Sequence, residues 1–141
     1  MIYVDTNILI AYINPRDKLH SKAESLLTQY SGDKRVISQL VILELYSVFS
    51  RVMNISDVEL EALVNYTIRK CGVEVIIVDW DELYTRSLRY ANKLKLRTLD
   101  LLHVIASHLL GAKTLISFDK DINSKGDLIN KLLGIEVVGL P

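Results

Sequence analysis

The sequence predicts an α/β fold, a mainly parallel sheet of about five strands covered by helices on both faces. Three observations carry that expectation. Short Val/Ile-rich runs alternate with longer segments of helical period along the whole chain. The short runs are apolar without alternation, as strands buried on both faces require. Gly, Asn-Pro and Ser/Thr/Asp signals separate them, and no repeat, linker or low-complexity tract interrupts the 141 residues. The expectation is a single domain over 1–141, long enough to bury about 68–70% of its unfolded surface.

Ile2-Tyr3-Val4 opens the chain as a short buried strand. A helix follows from Asn7 to about Ile13 and stops at Asn14-Pro15, because the residue before a proline disfavours the α region. A second helix is expected from Lys18 to Tyr30, with Leu19, Ala23, Leu26, Leu27 and Tyr30 on one face. Ser31-Gly32-Asp33 turns the chain into the strand Val36-Ile37, and a strongly apolar helix covers Gln39 to about Met53. Ser56-Asp57-Val58-Glu59 has the spacing of a capping box and opens a helix that ends near Cys71-Gly72. Val73 to Val78 is the clearest β segment, and Asp79-Trp80-Asp81-Glu82 starts a helix that continues to about Leu94. Thr98 is expected to cap a helix through Leu110, closed by Gly111. Thr114-Leu115-Ile116 is the fourth strand, Gly126 to Leu133 a helix, and Ile135 to Val138 the fifth strand.

Half the residues are hydrophobic and 24% are charged, an ordinary globular composition rather than a disordered one. The 17 basic and 17 acidic residues cancel, so a polyanionic partner would have to be met by a local patch. Cys71 is the single cysteine, which excludes an intramolecular disulfide and a Cys-rich zinc site. Asp5 and Asn7 stand where a signal peptide would carry a clean apolar core. No apolar run approaches the roughly 18 residues that a membrane-spanning helix needs. A soluble, cytoplasmic protein is therefore expected.

The chemistry-bearing feature is a set of carboxylates. Asp5 directly follows the first strand and is flanked by apolar residues, where an unpaired charge is costly to bury. Glu44, Asp100 and Asp119 have comparable settings. In open α/β sheets ligands bind beyond the carboxyl ends of the strands. Asp5 and Asp119 are placed there by topology, and Glu44 and Asp100 can reach the same edge from the first halves of their helices.

Each acid has a bland explanation of its own. Asp5 could simply cap the next helix. Glu44 shares a stripe with Ser47 and Arg51 and could mark a narrow solvated face, although a face so thin is unusual on an exposed helix. Asp100 suits a helix dipole, and Asp119 and Asp121 suit a polar loop. Gathered together, carboxylates about 4 Å apart repel by roughly 4 kcal/mol per pair at an effective dielectric near 20. Protonation or a divalent cation must then relieve them, and all-oxygen ligands favour Mg²⁺ or Mn²⁺ over zinc.

Asp5-Thr6-Asn7 after a strand, Glu44 in an apolar helix, Asp100-Leu101-Leu102-His103 opening a helix, and Ser117-Phe118-Asp119-Lys120-Asp121 after a strand resemble the PIN-domain ribonucleases. In length the chain resembles the VapC-type toxins of prokaryotic toxin–antitoxin pairs. The resemblance covers essentially the whole chain and implies a PIN-like three-layer α/β/α sandwich. It further implies an Mg²⁺- or Mn²⁺-dependent endoribonuclease with Asp5, Glu44, Asp100 and Asp119 as its acidic quartet. Asp5, Asp100 and Asp119 would hold the ion, with Glu44 completing the shell and helping to deprotonate the attacking water. In-line attack would leave a 5′-phosphate and a 3′-hydroxyl, and a second ion could enter with substrate about 3.5–4 Å from the first. Asn7 and Ser117 match supporting positions that orient carboxylates or water, and Asp121 is a further candidate acid. A homodimer, an RNA substrate and a small inhibitory antitoxin are the partners implied.

Arg86, Arg89, Lys93 and Arg97 fall three or four residues apart, so they lie along one helical side if the helix persists. Such a stripe tracks an RNA backbone or is only a solvated face. His103 and His108 are spaced wrongly for a zinc helix, and His103 is expected to be structural although it shares a face with Asp100. Trp80 is expected to pack, and Cys71 to be structural. No Gly-rich phosphate loop or serine nucleophile motif is present. Two other classes fit parts of the pattern. A receiver-like phosphoacceptor module would use Asp79, which otherwise suits a helix cap, and a catalytically silent PIN scaffold would only bind RNA or protein.

Overall fold

In the computed structural model, which describes residues 1–140, five parallel strands form one sheet in the order β3-β2-β1-β4-β5. The strands are β1 (Ile2–Val4), β2 (Arg35–Ile37), β3 (Glu74–Val75), β4 (Thr114–Ile116) and β5 (Glu136–Val138). The helices are α1 (Thr6–Ile13), α2 (His20–Gln29), α3 (Gln39–Val52), α4 (Asp57–Cys71), α5 (Trp80–Leu94), α6 (Thr98–Leu109), α7 (Lys120–Ser124) and α8 (Gly126–Leu133).

Every residue of β1 is buried, which requires cover on both faces and accounts for its unbroken apolar run. Helices α1 to α4 pack on one another, while α5 packs on α6, completing a three-layer α/β/α arrangement. Tyr3, Ile8, Leu9, Ile37, Leu45, Ile105, Leu115 and Ile116 are among the fully buried side chains of one continuous core.

The strand order locates the site. From β1 the chain crosses to β2 on one side, and β4 joins β1 on the other, with Val4 opposite Ile116. The order of connection therefore reverses at the central strand, and a crevice opens beyond the carboxyl ends of β1 and β4.

Several local expectations hold. Ser56 and Glu59 form the reciprocal capping box of α4, and Gly72 ends that helix in the left-handed conformation. Others are corrected. The clearest β segment of the sequence yields only the two-residue β3. Ile76 N–H still reaches Ile37 O at 2.9 Å, but beyond it the amide of Gln39 takes over from a strand partner, accepting from Val78 N–H at 2.9 Å. As an edge strand, β3 has a neighbour on one side only.

Helix α2 starts at His20, because Asp17 Oδ1 accepts from Leu19 N–H and holds 17–19 in a turn. Arg97, not Thr98, is the N-cap of α6, and no side chain caps that end. A short helix, α7, follows Asp119 where a loop was expected. Trp80 does not pack inside. It is 54% exposed and forms, with Tyr84 and Leu88 one and two turns on, an apolar stripe on the outside of α5.

Candidate metal centre

Asp5 is the junction between β1 and α1. Its backbone N–H pairs with Ile116 O at 2.9 Å, extending the ladder by one residue, and its side chain then caps α1. Oδ1 accepts from Thr6 N–H at 2.8 Å. Oδ2 accepts from the Ser117 hydroxyl at 2.7 Å and from the Asn7 amide at 3.5 Å. The capping role and the site role thus belong to one buried carboxylate. Asn7 is doubly committed, since its Oδ1 also accepts from Phe118 N–H at 3.1 Å and ties the β1 and β4 exits together.

Glu44 lies in α3, a helix opened by Ser38, whose hydroxyl accepts from Leu40 N–H. The Thr6 hydroxyl donates to Glu44 Oε1 at 2.8 Å, and His103 Nε2 contacts the same oxygen. His103 Nε2 also lies 3.7 Å from Asp5 Oδ1. Asp5, Glu44 and His103 therefore form one compact group of facing donor atoms, all within 4.8 Å of one another. Burial pushes the Glu44 carboxyl up, but the hydrogen bond and charge of His103, the Thr6 hydroxyl and Arg51 outweigh it and hold the group below its usual range. Burial pushes the His103 imidazolium down, and the charges of Asp5, Glu44 and Asp100 reverse that and raise it.

Asp100, Asp119 and Asp121 form a second group of the same compactness. Asp100 stands in the first turn of α6; Asp119 caps α7, accepting from Ile122 N–H at 2.9 Å through Oδ1; Asp121 is exposed in the first turn of α7. Desolvation together with the charges of Asp119, Asp5 and Asp121 pushes the Asp100 carboxyl up to about 6, and His103 only partly offsets this. The Asp5 contribution shows that the two groups feel each other. The loop carrying Asp119 is held from below by Asn123, whose amide donates to Ser117 O at 2.8 Å and Asp119 O at 2.7 Å. A groove of about 510 Å³, bordered by Asn7, Ile10, Leu19, Phe118 and Lys120, opens alongside Asp119 and Asp121.

This donor set fits a hard divalent cation. Five carboxylates converge from the end of β1, α3, α6, the β4–α7 turn and α7, no lysine or arginine is hydrogen-bonded or ion-paired to them among the described residues, and one of them is pushed toward protonation. The sequence-predicted quartet is gathered as two linked groups, with Asn7 and Ser117 orienting Asp5. Thr6, His103 and Asn123 are site neighbours that the sequence reading did not assign. Only for His103 was there a signal, its position one turn from Asp100 on the apolar face of α6.

The basic stripe is only partly realised. Arg86, Arg89 and Lys93 lie on one side of α5, but Lys95 adopts a left-handed conformation that ends the helix, so Arg97 stands apart at the start of α6. Arg86 pairs with Glu82 at 3.7 Å and Lys93 lies over the Tyr90 ring, whereas Arg89 and Arg97 are exposed. Asp79, the residue a receiver-like module would phosphorylate, caps α5 through Glu82 N–H at 2.8 Å, beyond the edge strand β3 and away from the crevice.

An all-parallel α/β/α fold with acidic side chains converging beyond its central strands defines an α/β domain with a candidate metal centre at its topological switch point. The family model of the PIN domain matches residues 2–128, and the chain belongs to that family. No curated protein matches it in sequence. Among solved structures it is similar to VapBC2 from Rickettsia felis bound to a promoter DNA fragment, at 16% identity and a TM-score of 0.70, with all of both chains covered. It is also similar to VapC20 of Mycobacterium tuberculosis, a sarcin-ricin loop cleaving toxin, at 18% identity and a TM-score of 0.67, over 89% of this chain and 95% of that one. VapBC-1 from nontypeable Haemophilus influenzae matches at 19% identity and a TM-score of 0.67, over 99% and 98%. These likenesses establish the fold. Among the described residues no helix is long and apolar enough to cross a membrane.

Proposed function

We propose that the chain is a metal-dependent endoribonuclease, using Mg²⁺ or Mn²⁺, and the toxin of a type II toxin–antitoxin pair. The observation that carries this reading is the convergence of Asp5, Glu44, Asp100, Asp119 and Asp121 at the switch point of a PIN-domain sheet. A toxin–antitoxin complex from Klebsiella pneumoniae among the structural neighbours supports the antitoxin partner, and the sarcin-ricin loop cleaving toxin supports the substrate class. The homodimer and the single domain over 1–141 belong to the same reading.

In this reading Asp5, Asp100 and Asp119 would hold the ion, with Asp121 a further candidate acid. A divalent ion there would neutralise charge on a phosphoryl oxygen and make water more acidic. Ser117, Asn7 and the Thr6 amide hold the Asp5 carboxylate in one orientation, so it need not reorganise when the ion or substrate arrives. Both donors to Glu44 fall on Oε1, leaving Oε2 free of side-chain hydrogen bonds to receive the proton of the attacking water. Attack forms one P–O bond and breaks the bond to the 3′ oxygen, which leaves as the 3′-hydroxyl after taking up a proton. The other fragment keeps a 5′-phosphate.

The test is cleavage of a mixed single-stranded RNA pool with Mg²⁺ or Mn²⁺, with Asp100→Asn protein as the paired control. Metal-dependent cleavage that is lost in the variant supports the assignment, and cleavage retained by folded Asp100→Asn protein rejects it.

A further inference from the structure

His103 is 2% exposed, and both of its ring nitrogens are engaged. Nδ1 lies 2.9 Å from the Tyr3 hydroxyl, which lies 2.7 Å from Ser38 Oγ. Ser38 Oγ accepts from Leu40 N–H at 3.3 Å. On the other side of the ring, Nε2 contacts Glu44 Oε1 and approaches Asp5 Oδ1 at 3.7 Å. An unbroken line of polar groups thus runs from the N-cap of α3, through the central strand, to the carboxylates. Its members are 35 and 100 residues apart in sequence.

Counting protons sets the direction of the line. An ionised carboxylate only accepts, and an imidazole carries at least one proton. If that proton sat on Nδ1 alone, the Nε2 lone pair would face the Glu44 carboxylate, an arrangement that burial makes worse. Nε2 therefore carries a proton whether the ring is neutral or charged. With the ring neutral, Leu40 N–H donates to Ser38, Ser38 to Tyr3, Tyr3 to Nδ1, and Nε2–H to Glu44, and every group is satisfied.

We propose that His103 is a positioning residue: the Ser38–Tyr3 chain locks its ring so that Nε2–H donates to Glu44 beside Asp5, holding the carboxylates in place instead of ligating the ion. This rests on the metal-site reading above. A ligand would need the Nε2 lone pair, which the Nε2–H donation occupies.

The test uses the full chain. Long-range ¹H–¹⁵N spectra of the His103 ring are recorded metal-free and then saturated with Mg²⁺ and, separately, Zn²⁺. Calorimetry of Mn²⁺ binding compares wild type, His103→Ala, His103→Gln and Tyr3→Phe. The proposal expects protonated Nε2 in all three spectra. It also expects His103→Gln, whose amide can still donate to Glu44, to bind Mn²⁺ within about threefold of wild type, while His103→Ala loses about 10–100-fold. Loss of the Nε2 proton on metal saturation overturns it, as does equal weakening in the Gln and Ala variants. If His103→Ala does not fold, Tyr3→Phe keeps the ring and the volume. Nε2 then stays protonated against Glu44, while the ring is no longer held at Nδ1 and the neighbouring carboxylates bind Mn²⁺ several-fold more weakly, and an unchanged affinity rejects the Ser38–Tyr3 part. Failure of folded wild type to bind any ion defeats the metal-site reading, while the metal-free ring spectrum still decides where the His103 proton sits.

Discussion

Ser117 Oγ donates to Asp5 Oδ2 at 2.7 Å and at the same time accepts from Asp119 N–H at 2.9 Å. One fully buried hydroxyl therefore fixes the acid that leaves β1 and the backbone of the acid that leaves β4, across 112 residues of sequence. Ser117→Ala removes both bonds without adding bulk. Metal affinity and cleavage should fall about 10–100-fold, as for the loss of a hydrogen bond to a ligand, while stability falls by only about 1 kcal/mol. Calorimetric metal titration beside a urea melt measures the two separately. A stability loss with unchanged metal affinity would reduce Ser117 to a packing residue.

Asp100 predicts a pH dependence whose sign follows from its direction of shift. Its carboxyl is pushed from an ordinary 3.8 to about 6 in the metal-free fold. Ionised Asp100 therefore opposes folding above pH 6, and that opposition is relieved as the pH falls from about 6 to 3.8. A cation binds the ionised form, so its affinity should weaken as the pH drops through 6 and binding near that pH should release protons. Calorimetry in buffers of different ionisation enthalpy counts those protons. Asp100→Asn removes the repulsion, so metal-free variant protein should melt at or above the wild-type temperature while losing the metal-induced rise.

Gly139 predicts a stability effect that reaches the site. Its φ is +154°, and a Cβ there would stand 1.7 Å from Ser117 O. Gly139→Ala should therefore combine backbone strain with a clash against the strand exit that carries Ser117. A loss above about 2 kcal/mol is expected, together with weakened metal binding. Gly134→Ala is the control. Its φ of +69° brings strain, but nothing lies within 4 Å of the added Cβ, so a loss near 1 kcal/mol with intact metal binding is expected. Equal effects in the two variants would remove the clash from the account.

Much of the site could be read from sequence because topology did the placing. Asp5 and Asp119 leave adjacent parallel strands, so their meeting follows from the alternation of elements and the rule for strand ends. Glu44 and Asp100 were legible as charges on otherwise apolar helices. The nearness of His103 to Asp100 was legible from their spacing, but its bonding was not, since that depends on Tyr3 and Ser38, and no local period encodes contacts spanning 100 and 35 residues. Helix α7 was missed because five residues are too few to show a helical period, and its cap, Asp119, already had an explanation as a site acid. Val73 to Val78 misled in the opposite direction. Its β-rich composition suits a long central strand, but its partner β2 ends at Ile37, and the amide of Gln39 takes over as the partner of Val78. Trp80 shows the same limit, as an aromatic at a helix start that tertiary context leaves outside.

The basic residues make the last prediction, and salt is the variable that tests it. Arg89 and Arg97 are exposed and make no salt bridge among the described residues, while Arg86 is already paired with Glu82. Arg97 stands at the start of the helix that carries Asp100. If these side chains hold RNA phosphates, each releases counterions on binding and contributes about 0.7 to the slope of log affinity against log salt for a single strand. Arg89→Ala with Arg97→Ala, built on Asp100→Asn protein so that the RNA is not cut, should lower that slope by about 1 to 1.5. Arg86→Ala should change it much less, because its charge is already engaged. Single-strand binding measured at several salt concentrations separates the cases. An unchanged slope in the double variant would make Arg89 and Arg97 solvated surface charges and move the search for the RNA path to Lys120 and the groove beside Asp119.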